Sequence, residues 1–231
     1  MTTSVTIIAV DGTAASGKGT LAKKLAAHFN FAYLDTGALY RGVALQILQI
    51  LQNKGGLIND AAIDSYIESA LQKLDFDWLT LPETQPLLRT AEISKAASLV
   101  ATKPQVRASI LAYQRDFARS PPQNLAGAVL DGRDIGTIVC PHAHHKLFIT
   151  ARLEIRAKRR WQELIEKNYG DESPPDFAVV LADIEKRDAQ DSQRAIAPLK
   201  QAEDALLLDS SDLSIEEVFL AALALIEQTD A

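Results

Sequence analysis

Near its start, the chain carries a short segment of small residues with a single lysine, a pattern suited to binding phosphate. The segment reads Gly12-Thr13-Ala14-Ala15-Ser16-Gly17-Lys18-Gly19-Thr20. Its glycines let backbone N–H groups curl around an anion without side-chain clash, and the lysine can reach the outer phosphates of a nucleoside triphosphate. A strand before the segment and a helix after it would add the positive end of a helix dipole. The pattern therefore predicts an ATP-binding phosphate loop, or P-loop.

The residue after the lysine departs from the commonest P-loop form. Gly19 stands where many P-loops carry the Ser or Thr whose hydroxyl binds magnesium. Thr20 follows one place later and is the one candidate protein hydroxyl for the ion. We therefore expect Mg²⁺ to enter with ATP, and we predict no other direct metal ligand.

Arginine is the second residue type that points to phosphate chemistry. Phosphoryl transfer needs little acid–base chemistry and strong stabilisation of a charged transition state, which a permanently charged, two-pronged guanidinium provides. Arg156, Arg159 and Arg160 lie at helical spacing i, i+3 and i+4, so two or three can face one direction. This predicts a lid over the ATP phosphates, with a solvated basic face as the alternative. The Asn-Lys-x-Asp segment by which GTPases recognise guanine is absent from the sequence.

Five short apolar runs alternate with helical patterns and predict the scaffold that positions these residues. The runs cover residues 6–10, 31–34, 128–130, 146–149 and 205–208. Continuous apolar runs are typical of strands buried on both faces of a parallel sheet. Strands alternating with helices indicate an α/β fold. We predict a three-layer P-loop NTPase sandwich with a five-stranded parallel sheet, forming a single domain over residues 1–231.

The helical patterns carry their own boundary signals. Pro104 is predicted at the first turn of a helix, and Ser214 with Glu217 forms a capping box before the last helix. Residues 74–88 contain Trp78 and two prolines and are predicted as an irregular or short-strand excursion. It lies within an acceptor-binding insertion at about residues 55–90, and a lid is predicted at about residues 155–195.

Composition bounds the class of partner. The chain has 231 residues, 47% of them hydrophobic, and a net charge of −6, which argues against nucleic acid as the main partner. The single cysteine, Cys140, cannot form an intrachain disulfide and fits a reducing compartment. The first ten residues lack a basic region typical of a secretory signal, and the apolar run at residues 43–51 is too short to span a bilayer. We expect a cytoplasmic, monomeric protein with no membrane partner.

Four further stretches, together with the P-loop, resemble the bacterial cytidylate kinase family nearly end to end. They are residues 34–41, residues 96–98 with Arg107, residues 131–137 and residues 187–199. The Asp-Gly-Arg-Asp and Arg-Ala-Ile-Ala-Pro-Leu sequences within them are more specific than the P-loop. The resemblance implies a nucleoside-monophosphate kinase that transfers the ATP γ-phosphoryl group to CMP or dCMP, giving CDP or dCDP and ADP, in pyrimidine nucleotide metabolism.

The resemblance also implies roles for individual residues. The CMP phosphate should be surrounded by Thr36, Tyr40, Arg41, Arg133 and Arg194. The cytosine edge should be read by Ser98, Arg107 and Asp134. The ribose hydroxyls should be held by Arg187 and Asp191, and the catalytic set is Lys18, Arg133, Arg187 and Arg194. Thr36 stands where the family often has serine, and the insertion is shorter than the small antiparallel sheet that many members carry.

The chemistry of cytosine agrees with these roles. Its N4 amino group donates to a carboxylate such as Asp134, and its N3 and O2 accept from Arg107 and Ser98. Uracil presents an oxygen at position 4, so Asp134 would face it without a hydrogen bond, and sites of this kind discriminate strongly.

Two other functions remain open at this point. A P-loop kinase could act on another small acceptor, either a different nucleoside monophosphate or a pantetheine-type alcohol. A nucleotide-sensing protein could bind without turnover. Asp134 and Arg107 discriminate among acceptors, because their removal should relax base choice only in a cytidylate kinase.

Overall fold

A computed structural model describes residues 5–54, 60–81, 83–84, 86–167 and 176–230. The chain divides into two compact units, the first comprising residues 1–33 and 121–231 and the second residues 34–120. The strands are β1 (Thr6–Gly12), β2 (Ala32–Asp35), β3 (Gly127–Gly132), β4 (His145–Thr150) and β5 (Leu206–Asp209). They form one sheet in the order β2-β3-β1-β4-β5. β1 pairs in parallel with β3 and β4, and β4 pairs in parallel with β5. The predicted five-stranded α/β sheet is confirmed.

The register of the central strands brings the loops that follow them to one edge of the sheet. Asp11 pairs with Gly132 of β3, and Gly12 pairs with Ile149 of β4. Because the strands are parallel, the P-loop and the loop that begins at Arg133 leave from the same, carboxyl-terminal edge. This is the edge at which open α/β sheets bind ligands.

The first unit contains four described helices. They are α1 (Lys18–Phe29), α7 (Leu153–Lys167), α8 (Phe177–Ser192) and α9 (Ile215–Asp230), with a 3₁₀ turn at Pro122–Asn124 and a π-helical turn at Ile135–Val139. The core consists of buried apolar side chains of β1, β3 and β4 that pack with those of α1 and α9. A second cluster joins α7 and α8 to Ala14 of the P-loop. Residues 168–175 of the predicted lid lie outside the described residues.

The predicted capping box begins α9. The N–H of Glu217 donates to Ser214 Oγ at 3.2 Å, and the N–H of Ser214 donates to the Glu217 carboxylate at 2.8 Å. Each side chain thus satisfies one backbone donor that the helix leaves unpaired.

The second unit is helical apart from the end of β2. Its helices are α2 (Thr36–Lys54), α3 (Asp60–Gln72), α4 (Phe76–Thr80), α5 (Ala91–Val100) and α6 (Pro104–Arg119), with a 3₁₀ turn at Leu87–Arg89. Pro104 opens α6 as predicted. Residues 55–59, Pro82 and Gln85, which belong to the predicted insertion, lie outside the described residues.

The short strand considered for residues 74–88 is wrong where α4 forms. Asp75 accepts the N–H of Trp78 at 3.0 Å and begins a helix. Leu79 of α4 is buried against α2, where a Cβ on Gly42 would lie 2.3 Å from its Cδ1. A cap and one buried anchor therefore set the conformation. Among the described helices, none has the length and apolar character needed to cross a membrane.

Candidate nucleotide-binding site

The P-loop joins β1 to α1 as the sequence predicts, and its conformation depends on glycine at its first residue. Gly12 has φ of +151°, and a Cβ there would lie 2.0 Å from the carbonyl oxygen of Ile149. The N–H of Thr13 donates to that same oxygen at 3.3 Å, so the loop starts in close contact with β4. No side chain caps the N-terminus of α1, so its first N–H groups have the arrangement that suits an anion.

Among the three predicted lid arginines, Arg156 contacts the P-loop and Arg159 contacts the segment after β5. Arg156 is buried, donates through Nη1 to the carbonyl oxygen of Ala14 at 3.1 Å, and pairs with Asp188. Arg159 donates to the carbonyl oxygen of Ser210 at 2.6 Å. Arg160 pairs with its own helix neighbour, a glutamate, at 3.0 Å. The three side chains thus have three different sets of partners, and their assignment to ATP stays a prediction.

Three of the residues predicted to bind the acceptor form one cluster in the first unit. Asp191 is 3% exposed and accepts from Arg133 Nε at 2.8 Å and from Arg194 Nη2. Two guanidinium groups share one carboxylate, and guanidinium groups bind phosphate through paired N–H donors. Arg187 lies on α8 one turn before Asp191.

Asp11 holds the turn that carries Asp134, and the sequence analysis did not single it out. Its buried carboxylate accepts the N–H of Ile135 at 2.8 Å and that of Gly136 at 2.7 Å. Burial raises the pKa of Asp11 to about 7, although the two backbone N–H groups and Arg133 lower it. Asp134 is itself 7% exposed. The sequence feature that could have identified Asp11 is its position at the end of a buried strand, directly before the first glycine of the P-loop.

Asp131, at the end of β3, is a second residue for which the sequence pattern predicted no role. It is buried and accepts from the hydroxyl of Tyr33 at 2.7 Å. A Cβ on Gly19 would lie 3.1 Å from Asp131 Oδ2, so the glycine after the lysine leaves room for this carboxylate beside the loop. The carboxylate of Asp131 and the hydroxyl of Thr20, an exposed residue, are hard oxygen donors of the kind that Mg²⁺ prefers. The residues present therefore fit the ion, and the described part of the chain holds no group of three or more His, Cys, Asp or Glu side chains that could bind a metal without ATP.

In the second unit, the start of α2 presents the predicted phosphate-binding residues. Asp35 caps the helix by accepting the N–H of Ala38 at 3.1 Å, and it pairs with Arg41 Nη2 at 2.7 Å. Arg41 Nε is buried and has no hydrogen-bond partner among the described residues. Thr36 is 3% exposed. This turn therefore holds a hydroxyl and a guanidinium in fixed positions.

The residues predicted to read cytosine in this unit lie on α5 and α6. Arg107 is 8% exposed, donates to the carbonyl oxygen of Ala101 at 3.3 Å, and has its guanidinium 5.7 Å from the centre of the Tyr40 ring. Ser98 Oγ donates to the carbonyl oxygen of Ser94 at 3.3 Å. The fold thus brings Arg107 and Tyr40 together, while Ser98 contacts its own helix.

Known proteins resemble this chain over nearly its whole length. Residues 8–228 match the family model described as cytidylate kinase. The cytidylate kinase of Xanthobacter autotrophicus is 51% identical over 221 residues, covering 96% of this chain and 97% of that protein. Those of Paramagnetospirillum magneticum and Rhodopseudomonas palustris are 49% and 47% identical, covering 96% and 97% of this chain and 97% of each protein.

Solved structures give weaker matches. An uncharacterized protein from Eubacterium ventriosum has a TM-score of 0.48 at 16% identity, covering 97% of this chain and 98% of that one. TT1252 from Thermus thermophilus has a TM-score of 0.44 at 19% identity, covering 96% and 97%. Because both TM-scores are below 0.5, neither likeness is used to assign the chain to a family. On the family match over residues 8–228 and relatives about half identical along the chain, this protein belongs to the cytidylate kinase family of nucleoside-monophosphate kinases.

Proposed function

We propose that this enzyme transfers the γ-phosphoryl group of ATP to CMP or dCMP and releases ADP with CDP or dCDP. The observation that carries the proposal is the pair of arginines, Arg133 and Arg194, held on the buried carboxylate of Asp191. The cluster belongs to the same unit as the P-loop, and its two guanidinium groups suit the phosphate of a nucleotide. The names of the relatives support the choice of CMP.

On the donor side, the proposal places the ATP phosphates on the P-loop. Lys18 and the N–H groups that open α1 supply positive charge to the outer phosphates. Asp131 and Thr20 would hold Mg²⁺, and one or two protein oxygens suffice because this ion keeps most of its water and phosphate ligands. When bound there, the ion would supply positive charge to offset the charge that develops on the phosphate oxygens.

On the acceptor side, the family resemblance supplies the assignment of each residue. In the second unit, Thr36, Tyr40 and Arg41 are assigned to phosphate binding. In the first unit, Arg133 and Arg194 are assigned to phosphate binding. The base contacts fall to Ser98, Arg107 and Asp134, and the ribose contacts to Arg187 and Asp191.

The reaction needs no general base, because the acceptor phosphate is already an oxyanion. The protein contributes position and positive charge, which are what phosphoryl transfer requires. Arg187, on α8 beside this cluster, is assigned to the transferring group. A lid at residues 155–195 would exclude water, the competing nucleophile. The proposal includes a cytoplasmic location and action as a monomer.

ADP release from ATP and Mg²⁺ tests the acceptor. The panel is CMP, dCMP, UMP, AMP, GMP and dephospho-coenzyme A, and turnover confined mainly to CMP and dCMP is the expected result. Activity with none of the monophosphates contradicts the proposal. Lys18→Ala should abolish turnover, whereas a nucleotide-sensing protein would show no turnover to lose.

Asp134→Asn tests base recognition. An amide can donate to the O4 of uracil, so the ratio of kcat/KM for CMP to that for UMP should fall at least about tenfold. Asp183→Asn, an exposed change on α8, provides the matched control and should leave the ratio unchanged. An unchanged ratio in Asp134→Asn contradicts the cytosine role of this residue.

A further inference from the structure

Asp188 and Arg156 bind the backbone N–H and the carbonyl oxygen of one P-loop residue. The proposed function uses neither of these two contacts. The N–H of Ala14 donates to Asp188 Oδ1 at 3.1 Å, and the carbonyl oxygen of Ala14 accepts from Arg156 Nη1 at 3.1 Å. Arg156 also pairs with Asp188 and donates through Nε to the carbonyl oxygen of Ala151 at 2.8 Å. We name this arrangement of Ala14, Arg156 and Asp188 the Ala14 clamp.

The clamp is well shielded from water. The side chains of Arg156 and Asp188 are 8% and 18% exposed, and Ala14 is 4% exposed. Apolar side chains of α7 and α8 pack around Ala14, with Ala157 fully buried. Charge-assisted hydrogen bonds in such surroundings are stronger than those exposed to solvent, so the position of the Ala14 backbone is tightly determined.

The same face of α8 contacts the arginine cluster. Asp188 and Asp191 are three residues apart on this helix, so their side chains lie on one side of it. Asp191 holds Arg133 and Arg194. Asp188 holds the P-loop and Asp191 holds the cluster. The two residues are separated by less than one turn of the same helix, a rise of roughly 4.5 Å.

We propose that Asp188 is a positioning residue for phosphoryl transfer, which fixes the Ala14 backbone with Arg156 and sets the P-loop in register with the Arg133–Asp191–Arg194 cluster. This inference rests on the proposed function, because the register matters only if phosphate groups occupy both places. In-line transfer depends on position, and a displacement of about 1 Å can cost about 100-fold in rate. The clamp acts through the backbone of the loop and contacts no reacting atom.

Asp188→Asn tests the proposal with nearly constant shape. The amide can still accept from Ala14, but its charge is lost and its NH₂ group meets a guanidinium donor. We expect kcat to fall at least about tenfold while KM for CMP stays within about twofold, because the Asp191 cluster is intact. Asp183→Asn on the same helix should match the wild type. Wild-type kcat in Asp188→Asn overturns the proposal, as does an equal loss in the control.

Hydrogen exchange at the Ala14 amide tests the clamp without activity. Exchange followed by NMR should be at least about tenfold faster in Asp188→Ala than in the wild type, and equal exchange overturns the proposal.

If Asp188→Asn unfolds, Arg156→Lys replaces it, since lysine keeps the charge but cannot reach Asp188, Ala14 and Ala151 together. It should lower kcat by a similar factor, and wild-type kcat overturns the proposal. A wild-type enzyme inactive with CMP and dCMP contradicts the proposed function instead, and the exchange result then still decides whether the clamp exists.

Discussion

Replacing Asp11 with asparagine tests the balance of forces on the carboxylate that holds the turn at Ile135 and Gly136. Burial favours the neutral acid, whereas the two backbone N–H groups at 2.8 and 2.7 Å favour the carboxylate. Desolvation is the larger effect and raises the pKa of Asp11 from 3.8 to about 7. The folded chain therefore keeps a proton over a pH range in which the unfolded chain has lost it.

The sign of the pH dependence follows from that difference. The stability that the retained proton provides is fully present below pH 3.8, and it is lost as the pH rises through about 7. A difference of about three pH units corresponds to on the order of 4 kcal/mol in the free energy of unfolding. Asp11→Asn has no proton to lose, so its stability lacks this contribution. It carries instead a constant cost of about 1–3 kcal/mol for the N–H that its amide cannot satisfy.

Urea unfolding followed by circular dichroism from pH 4.5 to pH 8 measures the effect. The free energy of unfolding of the wild type minus that of Asp11→Asn should decrease with rising pH by a few kcal/mol. Asp183→Asn provides the control for removing a carboxylate. A difference that stays flat or increases with pH contradicts this prediction, because it would mean that the N–H donors outweigh burial.

Three further predictions concern the loop, the last helix and the arginine cluster. Gly12→Ala places a Cβ 2.0 Å from the carbonyl oxygen of Ile149 at a φ of +151°, so we expect the free energy of unfolding in urea to fall by about 3 kcal/mol or more. A decrease below about 1 kcal/mol contradicts this expectation. Ser214→Ala removes the acceptor of the Glu217 N–H, so the free energy of unfolding should fall by about 1 kcal/mol and the Tm measured by calorimetry by about 2–4 °C. An unchanged Tm contradicts the capping role. Asp191→Asn leaves two guanidinium groups without their shared carboxylate and should lower stability by about 3 kcal/mol, with kcat/KM for CMP at least about 100-fold lower in the ADP-release assay. Retention of wild-type kcat/KM contradicts the role of that cluster.

Local patterns were sufficient for the features that depend on neighbours in sequence. The P-loop follows from glycine spacing between a buried strand and a helix, and the Ser214–Glu217 box from a three-residue spacing. All five strands were predicted to within two residues at each end, because continuous apolar runs identify buried strands. Residues 76–80 were the exception, since a buried contact of Leu79 with α2 sets that helix.

Sequence patterns were enough to predict the α/β class, the phosphate loop and, through the stretches that resemble cytidylate kinases, the family. The contacts that hold the loop and its neighbouring turn are visible only in the folded chain. Asp188 binds the Ala14 N–H from 174 positions away, and Asp11 binds the Ile135 N–H from 124 positions away. These pairs depend on the parallel register of β1 with β3 and on the packing of α8, and no local spacing of residues specifies either of them.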